Sequence, residues 1–138
     1  MASLIYNSFH RDLATGVIDA DTDTFKVMLV TSSYTPDKDV HDKRNDITNE
    51  VTGTGYSTGG VTSAATVTLS TANDRTTIQF GAVSWASSTI TARGAVYYKS
   101  RGGASSADEL VAYNDFGTDV STTSGTFSLA ATTVTIQN

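Results

Sequence analysis

The sequence predicts a small, mostly β domain: an antiparallel β-sandwich or jelly-roll-like barrel with a short N-terminal helix. Thr and Ser supply 40 of the 138 residues. From Val61 onward Thr alternates with apolar residues, as in Val61-Thr62-Ser63-Ala64-Ala65-Thr66-Val67-Thr68-Leu69. β-Branched residues fit a pleated, half-buried surface, and alternation turns one face inward and the other to water. Short apolar runs then recur between Gly, Ser and Asn turns, the spacing of a sandwich or barrel. The outward face of such a domain carries hydroxyls instead of charges.

Residues 3–15 hold the clearest helical period. Ile5, Phe9 and Leu13 recur every four residues and share one helical face. Ser3 is placed to act as N-cap and Gly16 as the C′ stop. The stripe reads as core packed on the sheet, or as a helix or arm over residues 1–16 that docks on a neighbouring subunit. Phe25 to Thr31 is the most apolar strand, and its two largely apolar faces predict a central position. Asp19, Asp21 and Asp23 precede it with the spacing of a calcium loop. However, Thr24 and Val30 stand where an EF-hand needs its Gly and its Glu. A polar turn feeding the strand is the simpler expectation.

Residues 34–60 form a long polar surface loop. Tyr34-Thr35-Pro36-Asp37 reads as a turn. From Lys38 to Glu50 only Val40 and Ile47 are aliphatic, and Gly53, Gly55, Gly59 and Gly60 punctuate the approach to the next strand. Loops this long are usually functional or flexible, so subunit contacts are expected here. Beyond it, Thr76 to Ala82 places Ile78, Phe80 and Ala82 on one face. The inward parity changes at Ala82-Val83, where a bulge or bend is expected. Thr89 to Lys99 places Ile90, Ala92, Gly94, Val96 and Tyr98 together. Ser100 to Asp108 is a Gly/Ser-rich loop. Leu110 to Tyr113 is a strand closed by Phe116-Gly117. The last strand starts at Thr126, and Val134 and Ile136 fall out of phase with Phe127, Leu129 and Ala131, so it is bulged or split. With no internal repeat and no linker, residues 1–138 read as one domain.

The net charge of −5 argues against nucleic acid or an anionic membrane as partner, since both call for a basic face. The absence of Cys removes disulfides and thiolate metal sites, and fits a reducing compartment or a particle assembled inside a cell. The amino end lacks the basic region and apolar core of a signal peptide. No run approaches the ~20 apolar residues of a membrane span.

No catalytic constellation stands out. The histidines are His10, in the first helix, and His41, between Asp39 and Asp42. With so many Ser available, a Ser-His-Asp coincidence carries little information, and a small hydrolase using His41 is the weakest reading. No Gly-x-Ser-x-Gly elbow, His-Glu-x-x-His pair or phosphate loop is present, and Gly53-x-Gly55-x-x-x-Gly59 lacks dinucleotide spacing. No catalytic residue, cofactor or metal ligand is assigned. Asp37, Asp39, Asp42, Asp46 and Glu50 alternate with Lys38, Lys43 and Arg44, as in surface ion pairs; across subunits such pairs set register. Trp85, Tyr97, Tyr98, Tyr113 and Tyr34 suggest a stacking platform for sugars or for a receptor. Tyr97 and Tyr98 must point to opposite faces, however, and Trp85 beside the parity break reads as core or sheet-edge packing.

Several stretches carry a family resemblance. They are Phe25 to Asp37, His41-Asp42, Asn49-Glu50-Val51-Thr52-Gly53-Thr54-Gly55-Tyr56, Trp85 with Ile90 to Tyr98, and Leu110 to Gly117. Together they resemble a small virion structural protein of tailed bacteriophages, over about Ile5 through Phe127. The resemblance implies a non-enzymatic component of the virion, assembled in the host bacterial cytoplasm. The first expectation is a capsid decoration (cement) protein that bridges capsomers, with the major capsid protein or neighbouring virion proteins as partners and self-association as a trimer. The alternative is a tail or tail-tip component that binds host surface glycan. The assembly contacts expected are Ile5, Phe9 and Leu13 on the helix and Pro36, His41, Arg44 and Tyr56 in the long loop.

Overall fold

The computed structural model describes residues 2–137, which form ten strands and one α-helix. In chain order these are β1 (Leu4–Ile5), α1 (Asn7–Ala14), β2 (Phe25–Val30), β3 (Val61–Thr62), β4 (Ala65–Ser70), β5 (Arg75–Phe80), β6 (Val83–Ser88), β7 (Thr91–Lys99), β8 (Leu110–Ser121), β9 (Gly125–Leu129) and β10 (Thr132–Gln137). Single 3-10 turns occupy Arg44–Asp46 and Ser105–Ala107. Every strand pairing is antiparallel. A five-stranded sheet runs β1-β8-β7-β2-β3, a three-stranded sheet β10-β5-β4, and a two-stranded sheet β6-β9.

The apolar two-faced run at Phe25–Val30 takes the interior of the large sheet, as its composition demands. One face, with Phe25, Val27, Leu29, Ala95, Tyr97, Val111 and Ala112, packs on the two smaller sheets through Ile78, Phe80, Trp85, Phe127, Leu129 and Val134. Phe80 is the pivot: its ring lies 5.4 Å from Phe25, edge-on, and 4.9 Å from Tyr97. The Tyr97 hydroxyl crosses the layers to donate to Thr132 Oγ1 at 2.8 Å. The opposite face carries Met28, Val30, Val96, Tyr98, Leu110 and Tyr113, sealed by Tyr6 and Tyr34 with Leu4 and Ile47 at the margin. The first part of the 34–60 segment is therefore a strap over the second face of the central sheet, while Val51 and Tyr56 farther along it turn to the first core. Tyr97 and Tyr98 do point to opposite faces, one into each core. On the three-stranded sheet the expected hydroxyl face is present, with Thr66, Thr68, Thr133 and Thr135 exposed.

Several expectations need correction. The helix begins at Asn7, not Ser3. Leu4–Ile5 pairs with β8 instead, and Tyr6 occupies the N-cap position without a capping side chain. Ser3 is turned to β8: its hydroxyl accepts the Asp115 N–H at 2.8 Å. Gly16 does follow the helix in the left-handed region, at φ +75. The alternating run from Val61 divides between two sheets, because the Ser63 N–H goes to Phe25 O and the Gly81 N–H to Ala64 O. Ile90 and Ala92 face the inter-sheet core while Val96 and Tyr98 face the strap, since a register shift lies between Ala92 and Gly94. Strand β8 does not close at Gly117: it runs on to Ser121 across an irregularity in which Gly117 sits at φ +77. The terminal strand is split, as its phase change predicted.

Candidate functional site

The N-terminal helix and the start of the strap meet on one surface, where α1 is tied to residues 38–42. Asp37 builds the turn locally: its Oδ1 accepts the N–H groups of Asp39 at 3.0 Å and Val40 at 3.2 Å, and its carbonyl accepts the His41 N–H at 2.9 Å. A short polar side chain that bonds backbone two and three residues ahead is the usual way such turns close. The turn lifts Val40 outward, 70% exposed. The Asn7 N–H donates to Lys38 O at 3.0 Å and its side-chain amide to Asp39 Oδ1, so the first turn of α1 is tied to the strap. Arg11 reaches Asp42 at 3.9 Å. Between them lies a cleft of about 250 Å³ lined by Asn7, Ser8, Arg11 and residues 38–42. It carries both signs of charge and one exposed aliphatic.

A buried chain of hydroxyls braces this surface from behind. The Tyr6 and Tyr34 hydroxyls are 2.8 Å apart, and Tyr34 is 2.9 Å from His41 Nδ1. The Asp37 N–H also donates to that nitrogen, at 3.2 Å. Nδ1 is therefore the acceptor in the neutral ring, so Tyr34 donates to it and Tyr6 donates to Tyr34. Burial raises both phenols, Tyr34 to about 12 and Tyr6 well above the ordinary tyrosine value. His41 also stacks on Tyr34, with centroids 5.8 Å apart.

The other expected contact residues are spread between surface and interior. Phe9 is buried in the inter-sheet core, with Ile5 and Leu13 packed at its edge. Pro36 is buried. Arg44 is held by Asp108, Nε to Oδ2 at 2.8 Å, with its guanidinium 5.2 Å over the Tyr98 ring. Tyr56 accepts the Leu29 N–H at 2.9 Å and donates to Glu50 at 2.7 Å, and its ring lies 5.9 Å from Trp85. These residues position the strap. Pro36 and His41 meet at the cleft turn, whereas Arg44 and Tyr56 anchor separate stretches farther along.

Sequence reasoning missed Tyr6, Val40 as an exposed anchor, and the acidic pair Asp108-Glu109. Both acids are almost fully buried. Asp108 accepts from Arg44 and from the Arg101 N–H at 2.9 Å, while Glu109 takes both Arg101 and Lys43. Their position in a Gly/Ser-rich stretch carried no signal of burial. The proposed aromatic platform is interior: Trp85, Tyr97, Tyr98, Tyr113 and Tyr34 are all buried. At Asp19–Asp23 the carboxylates close a turn: Asp19 Oδ1 accepts the Asp21 N–H, and Asp23 accepts the Asp19 N–H and pairs with Lys99 at 2.9 Å. Among the described residues no cluster of three His, Asp or Glu side chains is arranged to hold a metal ion. No helix among them is long and apolar enough to cross a membrane. Comparison with protein-family models, with curated proteins and with solved structures finds no match for this chain.

The carboxylates that pin the strap make stability depend on pH. Burial would raise Asp46, but the Asp42 and Lys43 N–H groups donate to its Oδ2 at 2.9 and 3.1 Å and hold it below the ordinary value. Burial opposes ionisation of Glu109 as well, and its Arg101 and Lys43 partners outweigh it. Because the folded-state values are depressed, this stabilisation is full above the unfolded carboxylate range and is lost as pH falls through the folded values. The unfolding midpoint should be level from about pH 7 to about pH 5 and fall steeply below about pH 4. Thermal melts followed by circular dichroism across that range check this.

Proposed function

We propose that this chain is a non-enzymatic structural component of a bacteriophage particle, a capsid decoration protein that stabilises the shell by bridging neighbouring capsomers. The observation that carries the reading is the meeting of α1 and the strap on one braced surface, with exposed Val40 among Arg11, Lys38, Asp39 and Asp42. An aliphatic anchor within a mixed-charge rim suits a protein contact: the anchor supplies desolvation and the charges supply register. The Tyr6–Tyr34–His41 chain, buried at its two tyrosines, keeps that surface in one shape before contact, which lowers the ordering cost of binding. A decoration protein gains from many such modest contacts repeated over a lattice. The residues of the sequence resemblance lie largely in β2, the strap, β7 and β8, the elements that form and cover the central sheet.

The alternative, a tail or tail-tip component that binds host glycan, draws on a different feature. A groove of about 590 Å³ is lined by Thr31, Glu50, Thr52, Thr89, Thr91 and Thr122 among others, hydroxyls suited to a sugar. Quantitative mass spectrometry of purified particles separates the two placements. The decoration reading expects copies in proportion to the capsomers. Copies in proportion to the single tail would refute it and favour the alternative.

A further inference from the structure

The fold leaves β4 as an open edge. Among the described residues β4 pairs only with β5. Its residues, Ala65-Thr66-Val67-Thr68-Leu69-Ser70, include none of the charges or prolines that usually blunt a free strand. Val67 is 38% and Leu69 71% exposed, although both lie on the apolar face of the sheet, level with Ile78 and Thr76. The sheet thus overhangs the core with its apolar side uncovered.

The ladder determines which backbone groups that edge presents. The Gly81 N–H donates to Ala64 O at 2.9 Å, one step beyond the Ala65–Phe80 pair. In an antiparallel ladder bonded and non-bonded pairs alternate. The pairs 66/79, 68/77 and 70/75 are therefore the bonded ones. Ala65, Val67 and Leu69 then turn their N–H and C=O groups outward.

We propose that this edge binds a second copy of the chain, β4 against β4 antiparallel, about a two-fold axis at Val67. In that register Val67 opposes the partner's Val67 and Leu69 opposes the partner's Ala65, small against large. Thr66 opposes the partner's Thr68 on the hydroxyl face. All six outward backbone groups of each copy find partners, and no charge meets its own image. Such self-complementarity is the property of an isologous interface. The other edge of the sheet, β10, is less open, since grooves lined by Leu4, Ile5 and Leu13 separate it from β1 and α1 beside it. A six-residue edge is smaller than the ~1,200 Å² of a stable pair, so the contact serves as one of several in an assembly. Being two-fold, it pairs chains; a trimer needs a different contact. The inference is independent of the virion reading.

Single cysteines test it, because the chain has none of its own. Opposed Cα atoms in a bonded antiparallel pair are about 5.5 Å apart, within disulfide reach. Oxidised Val67→Cys is expected to run mainly as a covalent dimer. Thr68→Cys, whose counterpart is displaced by two residues and lies beyond ~7 Å, is expected to remain mainly monomeric. Ala65→Cys/Leu69→Cys should cross-link as well, and it supplies the readout if Val67→Cys fails to fold. Equal yields at positions 67 and 68, or a natively folded Val67→Cys that stays monomeric, would overturn the proposal.

Discussion

Gly60→Ala is expected to lower stability by about 3 kcal/mol or more, a large share of the roughly 5–15 kcal/mol that holds a domain folded. Gly60 ends the strap at the point where the chain presses on β2. Its φ of +74 belongs to the left-handed region, and a Cβ there would overlap the carbonyl of Val27. That carbonyl sits in the central strand, held on both sides by β7 and β3, so it cannot recede without opening the ladder. Gly102 separates the two contributions: it has nearly the same φ, +77, and nothing near its missing Cβ. Gly102→Ala should cost only the backbone strain, about 1 kcal/mol. Urea denaturation of the two variants gives the difference directly. Equal midpoints would mean that the strap does not press on β2 at Gly60.

Asp108→Ala is expected to cost about 3 kcal/mol. The carboxylate is 1% exposed. Its removal strands Arg44, whose side chain is 19% exposed, and leaves the Arg101 N–H without its acceptor. Removing one member of a buried pair leaves an uncompensated charge, whereas replacing both members by apolar groups can be close to neutral. The double variant Arg44→Leu/Asp108→Leu should therefore lose less than the sum of the single losses. Denaturation of Arg44→Leu, Asp108→Leu and the double yields that coupling. Additive losses would show that the pair acts as two independent surface charges.

These two sites show where the sequence was readable. Strand β2 announced its central place because Phe25–Val30 is apolar on both faces, and the hydroxyl face of the small sheet followed from the alternation of Thr with Val and Leu. The strap was legible as a long connection but not as a cover. Its sealing contacts come from scattered residues, Tyr34 and Ile47, with no common period, and from Tyr6, which lies far away in the chain. Gly117 looked like a strand end because a glycine with φ > 0 within an irregular strand has the same local signature as one in a turn. The β1 strand was hidden because Ile5 kept four-residue spacing with Phe9 and Leu13 while belonging to another element. At the cleft, the loop and the helix were each anticipated, but their meeting depends on the Asn7–Lys38 bond, which no local pattern encodes.

The proposal that this chain works by fitting against neighbours is tested most directly by cryo-electron microscopy of purified particles that carry it. The expected result is ordered density on the capsid exterior, with Val40 and the Arg11–Asp42 rim pressed against an adjoining subunit. Particles that hold it with this surface open to solvent and its contacts elsewhere would contradict it.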